Sequence, residues 1–320
     1  MPASCAGSEQ SGRSERAVDD DRRLGGATER LKAVEVAVQA LNVEEEVPLA
    51  QGTAFRLVRG LLNINTAGHG HLVEVVVISR NDADSGMRIF NSIRHHKLDI
   101  TRGAFTDGGN ASGYLSALHC SLFLSADPAD VAAALLLGVP AALVCTPPAS
   151  TDDEIPSVVR VAFDGDAVLF DGGSERVFQE QGLEAFQERE LRLANQPMNP
   201  GPFEPFLRAL QHIQEQFPEG ATPIRIALVT ARSTPAHARV VNTLRSWGIR
   251  IDETFLLGGI EKGPVLEVLQ PDIYFDDQMR HLESAMRHTP SAHVIPTGTQ
   301  VPEPLNGTGD ADDEPGSGTV

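Results

Sequence analysis

Apolar runs of strand length alternate with amphipathic stretches through the middle of the chain. VVRVAF (158–163), IRIALVT (224–230), ETFLLGG (253–259) and DIYFDD (272–277) are nearly continuous in apolar residues, the pattern of strands buried on both faces. Between them, TPAHARVVNTLRSWG (234–248) carries Ala238, Val241, Leu244 and Trp247 at helical spacing and stops at Gly248. KGPVLEVLQP (262–271) predicts a short helix bounded by a proline. Strands alternating with helices imply an α/β fold, a parallel sheet with helices on both faces. Ligands of such sheets sit at the carboxyl ends of the strands.

Polar residues collect at those ends. Asp164 and Asp166 follow the first strand, Thr230 closes the second, Asp276 and Asp277 close the last, and Lys262 opens the helix after the third. Each alone reads as a turn residue or helix cap. Gathered on one rim they are harder to explain by capping. Crowded carboxylates repel unless a hard divalent cation sits among them, and Mg²⁺ takes oxygen ligands. One aspartate can then be both ligand and nucleophile toward phosphorus. A second, two residues on, can protonate the leaving oxygen and later activate water. A lysine and a threonine would hold the phosphoryl oxygens.

Composition narrows the classes. The 320 residues suffice for two ordinary domains. A formal charge of −18 lacks the basic footprint of nucleic-acid binding, although a metal and a few local cations can dominate a small anionic site. Cys5, Cys120 and Cys145 have no metal-ligand spacing and form no even framework, which fits a reduced compartment. No apolar run reaches the roughly 18 residues of a membrane span, and the N-terminus lacks a signal-peptide core. A cytoplasmic protein with no membrane partner is expected. Residues 1–28 and 299–320 are polar and rich in small residues, so disorder is expected there. His69, His71, His95 and His96 form no zinc pattern and read as surface.

DGDAV, VTAR, the lysine and YFDDQ, in this order on alternating strands, resemble the four motifs of the haloacid dehalogenase superfamily of phosphatases. RVAFDGDAVLF, ANQPMNPGPFEPFL, LVTARS, TLRSWGIRIDETFLLGG, KGPVLE and IYFDDQM are similar to the cytosolic 5′-nucleotidase type I family, a resemblance running from about Val34 to about Pro296. It implies a Rossmann-like haloacid dehalogenase fold with an inserted cap, a Mg²⁺ cofactor, and hydrolysis of AMP-like or IMP-like nucleoside 5′-monophosphates through an aspartyl-phosphate. Carried over by position, Asp164 is the nucleophile and Asp166 the general acid/base. Thr230, Ala231 and Lys262 bind phosphate. Asp164, the Asp166 backbone carbonyl and a carboxylate from Asp276 or Asp277 hold the metal. An acid/base aspartate at 166 disfavours dehalogenation. The rival readings are a phosphatase of another small phosphomonoester and a non-enzymatic nucleotide sensor.

The gap of about 171–222 after the first motif is the expected cap, with Phe178, Leu183, Phe186 and Leu191 as its core and the Asn195–Phe203 loop against substrate. Asn195 and Arg232 are the substrate candidates; Arg232 reads equally as a phosphate or sugar contact and as a solvated surface arginine.

Residues 75–127 slide onto 226–278 at an offset of 151, so Ser79 falls on Thr230, Ala111 on Lys262, and Ser125 and Ala126 on Asp276 and Asp277. Arg88, Asn91 and Arg94 meet Arg239, Asn242 and Arg245. At another offset Val34 overlies Val159, which puts Gln39 and Leu41 where Asp164 and Asp166 stand. The expectation is a degenerate N-terminal copy over 29–150 beside a catalytic domain over 151–298; a shared strand–helix rhythm is the alternative. The glycines of TRGAFTDGGNASGYL (101–115) could let backbone amides approach an anion, such as an effector nucleotide, or form a wall of the cleft; an ordinary glycine-rich loop is the default. The expected partners are thus a nucleoside monophosphate, a nucleotide effector and a second copy of the chain.

Overall fold

A computed structural model describes residues 31–36, 46–145, 155–234 and 236–296. The expected disordered ends, and the positions Gln39 and Leu41, lie outside them. Ten strands form one sheet: β1 (Leu31–Val36), β2 (Val73–Ser79), β3 (Arg102–Phe105), β4 (Leu122–Ser125), β5 (Ala141–Val144), β6 (Val159–Phe163), β7 (Ile224–Thr230), β8 (Glu253–Leu256), β9 (Ile273–Asp276) and β10 (Ser291–His293). The order is β3-β2-β1-β4-β5-β10-β9-β6-β7-β8. Every neighbouring pair is parallel except β5 with β10. Read outward from that antiparallel junction, the two halves have the same strand order.

Register carries the likeness further. Val34 pairs with Val76 and Phe123, and Ala162 pairs with Ala227 and Tyr274, which lie 151 residues beyond them. The positional counterpart of Val34 is therefore Ala162, three residues past the Val159 given by sliding the sequences. The apolar runs of β1 and β6 match at either offset. Only the hydrogen-bonded neighbours distinguish them.

The central strands β6, β7 and β9 are buried on both faces because helices cover both. Those helices are α1 (Phe55–Ile64), α2 (Ala83–His95), α3 (Ser112–Ala117), α4 (Pro128–Leu136), α5 (Gly173–Arg192), α6 (Glu204–Gln214), α7 (His237–Trp247), α8 (Gly263–Leu269) and α9 (Met279–Ala285). One core joins residues of both halves, with α1 also packing on β6 and α6 on β1. Between the halves, Arg56 Nε donates to Asp272 Oδ1 at 2.5 Å, and the other Asp272 oxygen accepts from the Arg160 amide at 2.8 Å. No described helix is long and apolar enough to cross a membrane. His69, His71 and His95 are exposed, whereas His96 is half-buried and bonds the Leu49 carbonyl through Nε2 at 2.9 Å.

Two helical expectations need correction. The stretch 171–222 does not act as one insertion: Phe206, Leu207, Leu210 and Ile213 of α6 are buried in the main core, so α6 is the crossover that covers the sheet between β6 and β7. In α5, Phe186 is buried but Phe178, Leu183 and Leu191 are exposed. Gly182, at φ 84°, breaks the helix; Phe178 still meets Phe186 edge to face with ring centres 6.2 Å apart, while Leu183 and Leu191 stay exposed. In α7 the buried residues are Arg239, Val240, Thr243 and Leu244; of the expected apolar series only Leu244 is among them, Ala238, Val241 and Trp247 being half-buried, and Arg239 and Thr243 serve polar contacts described below. The helix does end at Gly248 in the left-handed conformation.

Gly201 marks the tightest backbone crossing near the rim. Its amide donates to Leu169 O at 2.8 Å, and a Cβ there would lie 2.4 Å from Val168 O and 2.5 Å from Phe170 O. Backbone oxygens in a paired turn cannot give way. Gly201→Ala is therefore expected to destabilise by about 2 kcal/mol in urea unfolding. Gly113→Ala, with nothing within 4 Å of the new carbon, should shift stability by less than about 0.5 kcal/mol.

Candidate active site

The rim at the carboxyl ends of β6, β7 and β9 is built by short-range devices. After β6 the chain turns sharply: the Leu169 and Phe170 amides both donate to Gly165 O, and Ala167 takes φ 59°. The Asp164 amide donates to Phe275 O at 2.8 Å, which fixes Asp164 beside β9. Gly165 lies under Thr230; a Cβ on it would be 3.3 Å from Thr230 Oγ1. The Thr230 hydroxyl accepts from the Arg232 amide at 3.3 Å.

Lys262, the residue before α8 and only 1% exposed, reaches into the middle. Its ammonium donates to Asp164 Oδ1 at 2.7 Å, to Asp276 Oδ2 at 2.7 Å and to the Tyr274 hydroxyl at 2.9 Å. The Tyr274 hydroxyl donates in turn to Asp276, and His281 Nδ1 lies 3.3 Å from the same Asp276 oxygen. Asp276 Oδ1 accepts from the Gln278 amide at 2.8 Å. Asp277 differs from its neighbour: its Oδ1 is buried with no hydrogen-bond partner.

One oxygen from each of Asp164, Asp276 and Asp277 lies within 4.8 Å of the others. Burial pushes Asp164 up to about 6 against the pull of Lys262. Burial and the charges of Asp164 and Asp276 push Asp277 up to about 8. Burial opposes ionisation of Asp276 as well, but His281 and Lys262 hold it below the ordinary carboxylate value. Three carboxylates thus share one ammonium, and one buried oxygen has no donor. All the donors on offer are hard oxygens. That set fits a hard divalent cation such as Mg²⁺.

Asp166 belongs to a second cluster. Both its oxygens accept from Arg232, Oδ2 from Nε at 2.7 Å and Oδ1 from Nη2 at 2.6 Å. Arg232 Nη1 donates to Glu190 Oε2 at 2.6 Å. Glu190 Oε1 accepts from Arg239 Nη1 at 2.8 Å and from Ser174 Oγ at 2.9 Å. Arg239 Nε donates to Gln196 O at 3.0 Å, and the Met198 amide donates to Thr243 Oγ1 at 3.0 Å. Arg232 is 4% exposed, so it is not a solvated surface arginine. Asn195 and Ala231 lie exposed at the margin; Asn195 Oδ1 accepts a 3.4 Å bond from Asn242.

The structure therefore brings Asp164, Lys262, Asp276 and Asp277 together, sets Thr230 against the first turn, and holds Asp166 through Arg232. Sequence reading missed Tyr274, Glu190 and Arg239. Tyr274 had a signal, being two residues before Asp276 on one strand and hence on the same face. Arg239 sits on α7 and meets Glu190 of α5 and the Gln196 carbonyl. Glu190, inside the charged run QERELR, carried none. The 101–115 loop is already paired: the amides of Thr106, Asp107, Gly108 and Gly109 donate to Ser79, Asn81, Arg80 and Thr106 carbonyls, which removes them as an anion cradle.

A family model described as 5′-nucleotidase matches residues 32–301. The chain is 38% identical over 254 residues to the Homo sapiens protein named cytosolic 5′-nucleotidase 1B, covering 76% of this chain and 42% of that protein. The chain thus spans less than half the length of that relative. Among solved structures, histidinol dehydrogenase from Elizabethkingia anophelis overlaps 82% of this chain and 52% of its own at 13% identity and a TM-score of 0.24, too low to carry an argument.

In metal-free protein the raised Asp277 value has a definite sign. The stability it contributes is whole below about pH 4 and drains away as pH climbs through about 8. In EDTA, the wild-type melting temperature should fall more steeply between pH 5 and pH 8.5 than that of Asp277→Asn. Added Mg²⁺ should raise the wild-type midpoint at pH 8 and raise the variant's less. Parallel pH curves in EDTA would contradict the raised Asp277 value, and equal Mg²⁺ shifts would contradict its part in holding a cation.

Proposed function

The chain belongs to the 5′-nucleotidase family, and on that premise we propose that it is a Mg²⁺-dependent phosphatase that hydrolyses nucleoside 5′-monophosphates to nucleoside and phosphate. The observation that carries the reading is the buried group of Asp164, Asp276 and Asp277 around Lys262, at the carboxyl ends of parallel strands.

In this reading Asp164 is the nucleophile. Lys262 holds its Oδ1, and the other carboxylate oxygen attacks phosphorus. As the bond from phosphorus to the ester oxygen breaks, that oxygen leaves with the bonding pair and takes a proton from Asp166. Asp166, now a carboxylate, takes a proton from water whose oxygen attacks phosphorus of the aspartyl-phosphate. Phosphate leaves and Asp164 is restored. Lys262, Thr230 and the Ala231 backbone hold the phosphoryl oxygens. The metal would be held by Asp164, the Asp166 carbonyl and Asp277. Asp276 has both oxygens bonded, whereas Asp277 has a buried oxygen free to ligate. When bound, Mg²⁺ would neutralise charge on the phosphoryl oxygens.

The part of α5 outside the sheet is proposed as the cap over this rim. The N-terminal half is proposed as a degenerate copy of the catalytic fold. Its support is the mirrored strand order, the common register, and a pair of matching turns. Ser79 Oγ accepts from the Asn81 amide at 3.1 Å as Thr230 does from Arg232, and Ser125 Oγ accepts from the Asp127 amide at 3.0 Å as Asp276 does from Gln278. The turn-capping oxygens persist where the carboxylate chemistry does not. A cytoplasmic location, after the human relative's name, and regulation by a nucleotide effector or by self-association complete the reading.

The test is phosphate release from AMP, IMP, CMP and a sugar phosphate, with Mg²⁺ and with EDTA, beside Asp164→Asn. Nucleotide turnover that needs Mg²⁺ and falls to background in the variant is expected. Turnover of the sugar phosphate alone would keep the mechanism and reject the nucleotide. Folded protein that releases phosphate from none of them would favour a nucleotide sensor.

A further inference from the structure

Arg232 is engaged on every guanidinium nitrogen: Nε and Nη2 on Asp166, Nη1 on Glu190, with Met198 Sδ 3.4 Å from Nη2. The Phe186 ring centre lies 5.4 Å from its guanidinium carbon. Phe186 and Glu190 are four residues apart on the part of α5 that follows the Gly182 break, so one helix face supplies both contacts. Glu190 is 0% exposed and is itself fixed by Arg239 and Ser174.

We infer that Arg232 is the clamp that orients Asp166, and that Glu190 is a positioning residue that fixes this clamp. The inference rests on the phosphatase reading. A planar fork meets one carboxylate with two parallel bonds in a single orientation. With Nη1 taken by Glu190, that orientation is set from α5, outside the sheet. Two further arginines meet Glu190, Arg239 at 2.8 Å and the less buried Arg189 at 3.7 Å. Arg232 itself has each nitrogen bonded to a carboxylate, which leaves none to offer an incoming phosphate. Proton donation needs one Asp166 oxygen to release its Arg232 bond, and the other bond keeps the carboxyl aligned. Arg232 is accordingly a holder of the acid and not a ligand of phosphate or sugar.

The experiment compares kcat/KM for AMP and for p-nitrophenyl phosphate, with Mg²⁺, in the full chain and in Arg232→Lys and Glu190→Gln, with melting temperatures for each. Nucleoside leaves as an alkoxide that needs a proton, whereas p-nitrophenolate does not. Arg232→Lys should lower kcat/KM for AMP about tenfold or more while the aryl phosphate stays within about threefold. Glu190→Gln, which keeps the shape and removes the charge, should show the same selectivity to a smaller degree. Equal losses on both substrates would overturn the inference, whether they arise from lost phosphate binding or from a merely structural role. Unchanged AMP turnover in Glu190→Gln would overturn the part assigned to Glu190. Wild-type protein that hydrolyses the aryl phosphate but not AMP would remove the nucleotidase reading and leave the clamp to be judged on an alkyl sugar phosphate in the same comparison. Wild type inactive on all three would remove the phosphatase reading and the inference with it.

Discussion

The ammonium of Lys262 lies between Asp164 and Asp276 with almost no access to water. Removing either charge from such a group leaves the other uncompensated, at a cost of about 3–5 kcal/mol. The three residues come from different parts of the chain: the end of β6, the start of α8 and the end of β9. Their meeting requires β6 and β9 to be neighbours, and the Asp164 amide bond to Phe275 O enforces the final step of that alignment. The parallel order of the sheet thus places charge at one point that no local segment could assemble. Tyr274, fully buried on the same face as Asp276, bonds both the lysine and Asp276, while Phe163 and Phe275 stack in the core on the other face.

The sequence made this point legible because each contributing segment is short and stereotyped. An apolar run ending in Asp, Thr or Asp-Asp marks the carboxyl end of a buried strand whatever happens elsewhere. Side chains that depend on tertiary approach were less visible. Glu190 lies in a run of charged residues whose periodicity reads as a solvated face, and only the break at Gly182 turns that face inward. Phe178, Leu183 and Leu191 are spaced too irregularly to share one helical face, and all three remain exposed. Arg239 and Thr243 sit in α7 where a hydrophobic count would choose their neighbours. Polar burial follows from partners on other elements, and a one-dimensional pattern holds no record of them.

The two halves of the sheet share turn-capping bonds but not charges. Ser79 and Ser125 cap the turns after β2 and β4 with the same two-residue bonds that Thr230 and Asp276 make. A hydroxyl is enough for that task. The carboxylate is needed only if the rim also takes a cation or a phosphoryl group. In the first half the Thr106, Asp107 and Gly108 amides of the neighbouring loop are tied to the Ser79–Asn81 carbonyls, and Arg80 pairs with Asp127 and Asp130. Groups that would otherwise face a ligand face one another.

Two buried charge clusters meet at the second half's rim, and their balances differ in a way that bears on their roles. Around Glu190, two acids meet the buried Arg232 and Arg239, with the less buried Arg189 3.7 Å from Glu190, and the bonded atoms favour one geometry. Around Lys262, three acids share one base and the Asp277 oxygen has no donor. The first cluster is complete as it stands and suits holding a side chain still. The second carries a surplus of negative charge, which an added proton or an added cation would offset. Asp164 and Asp166, two residues apart in sequence, belong one to each. In the proposed mechanism, the tight turn between them would separate the reacting group from the group that must stay aligned with it.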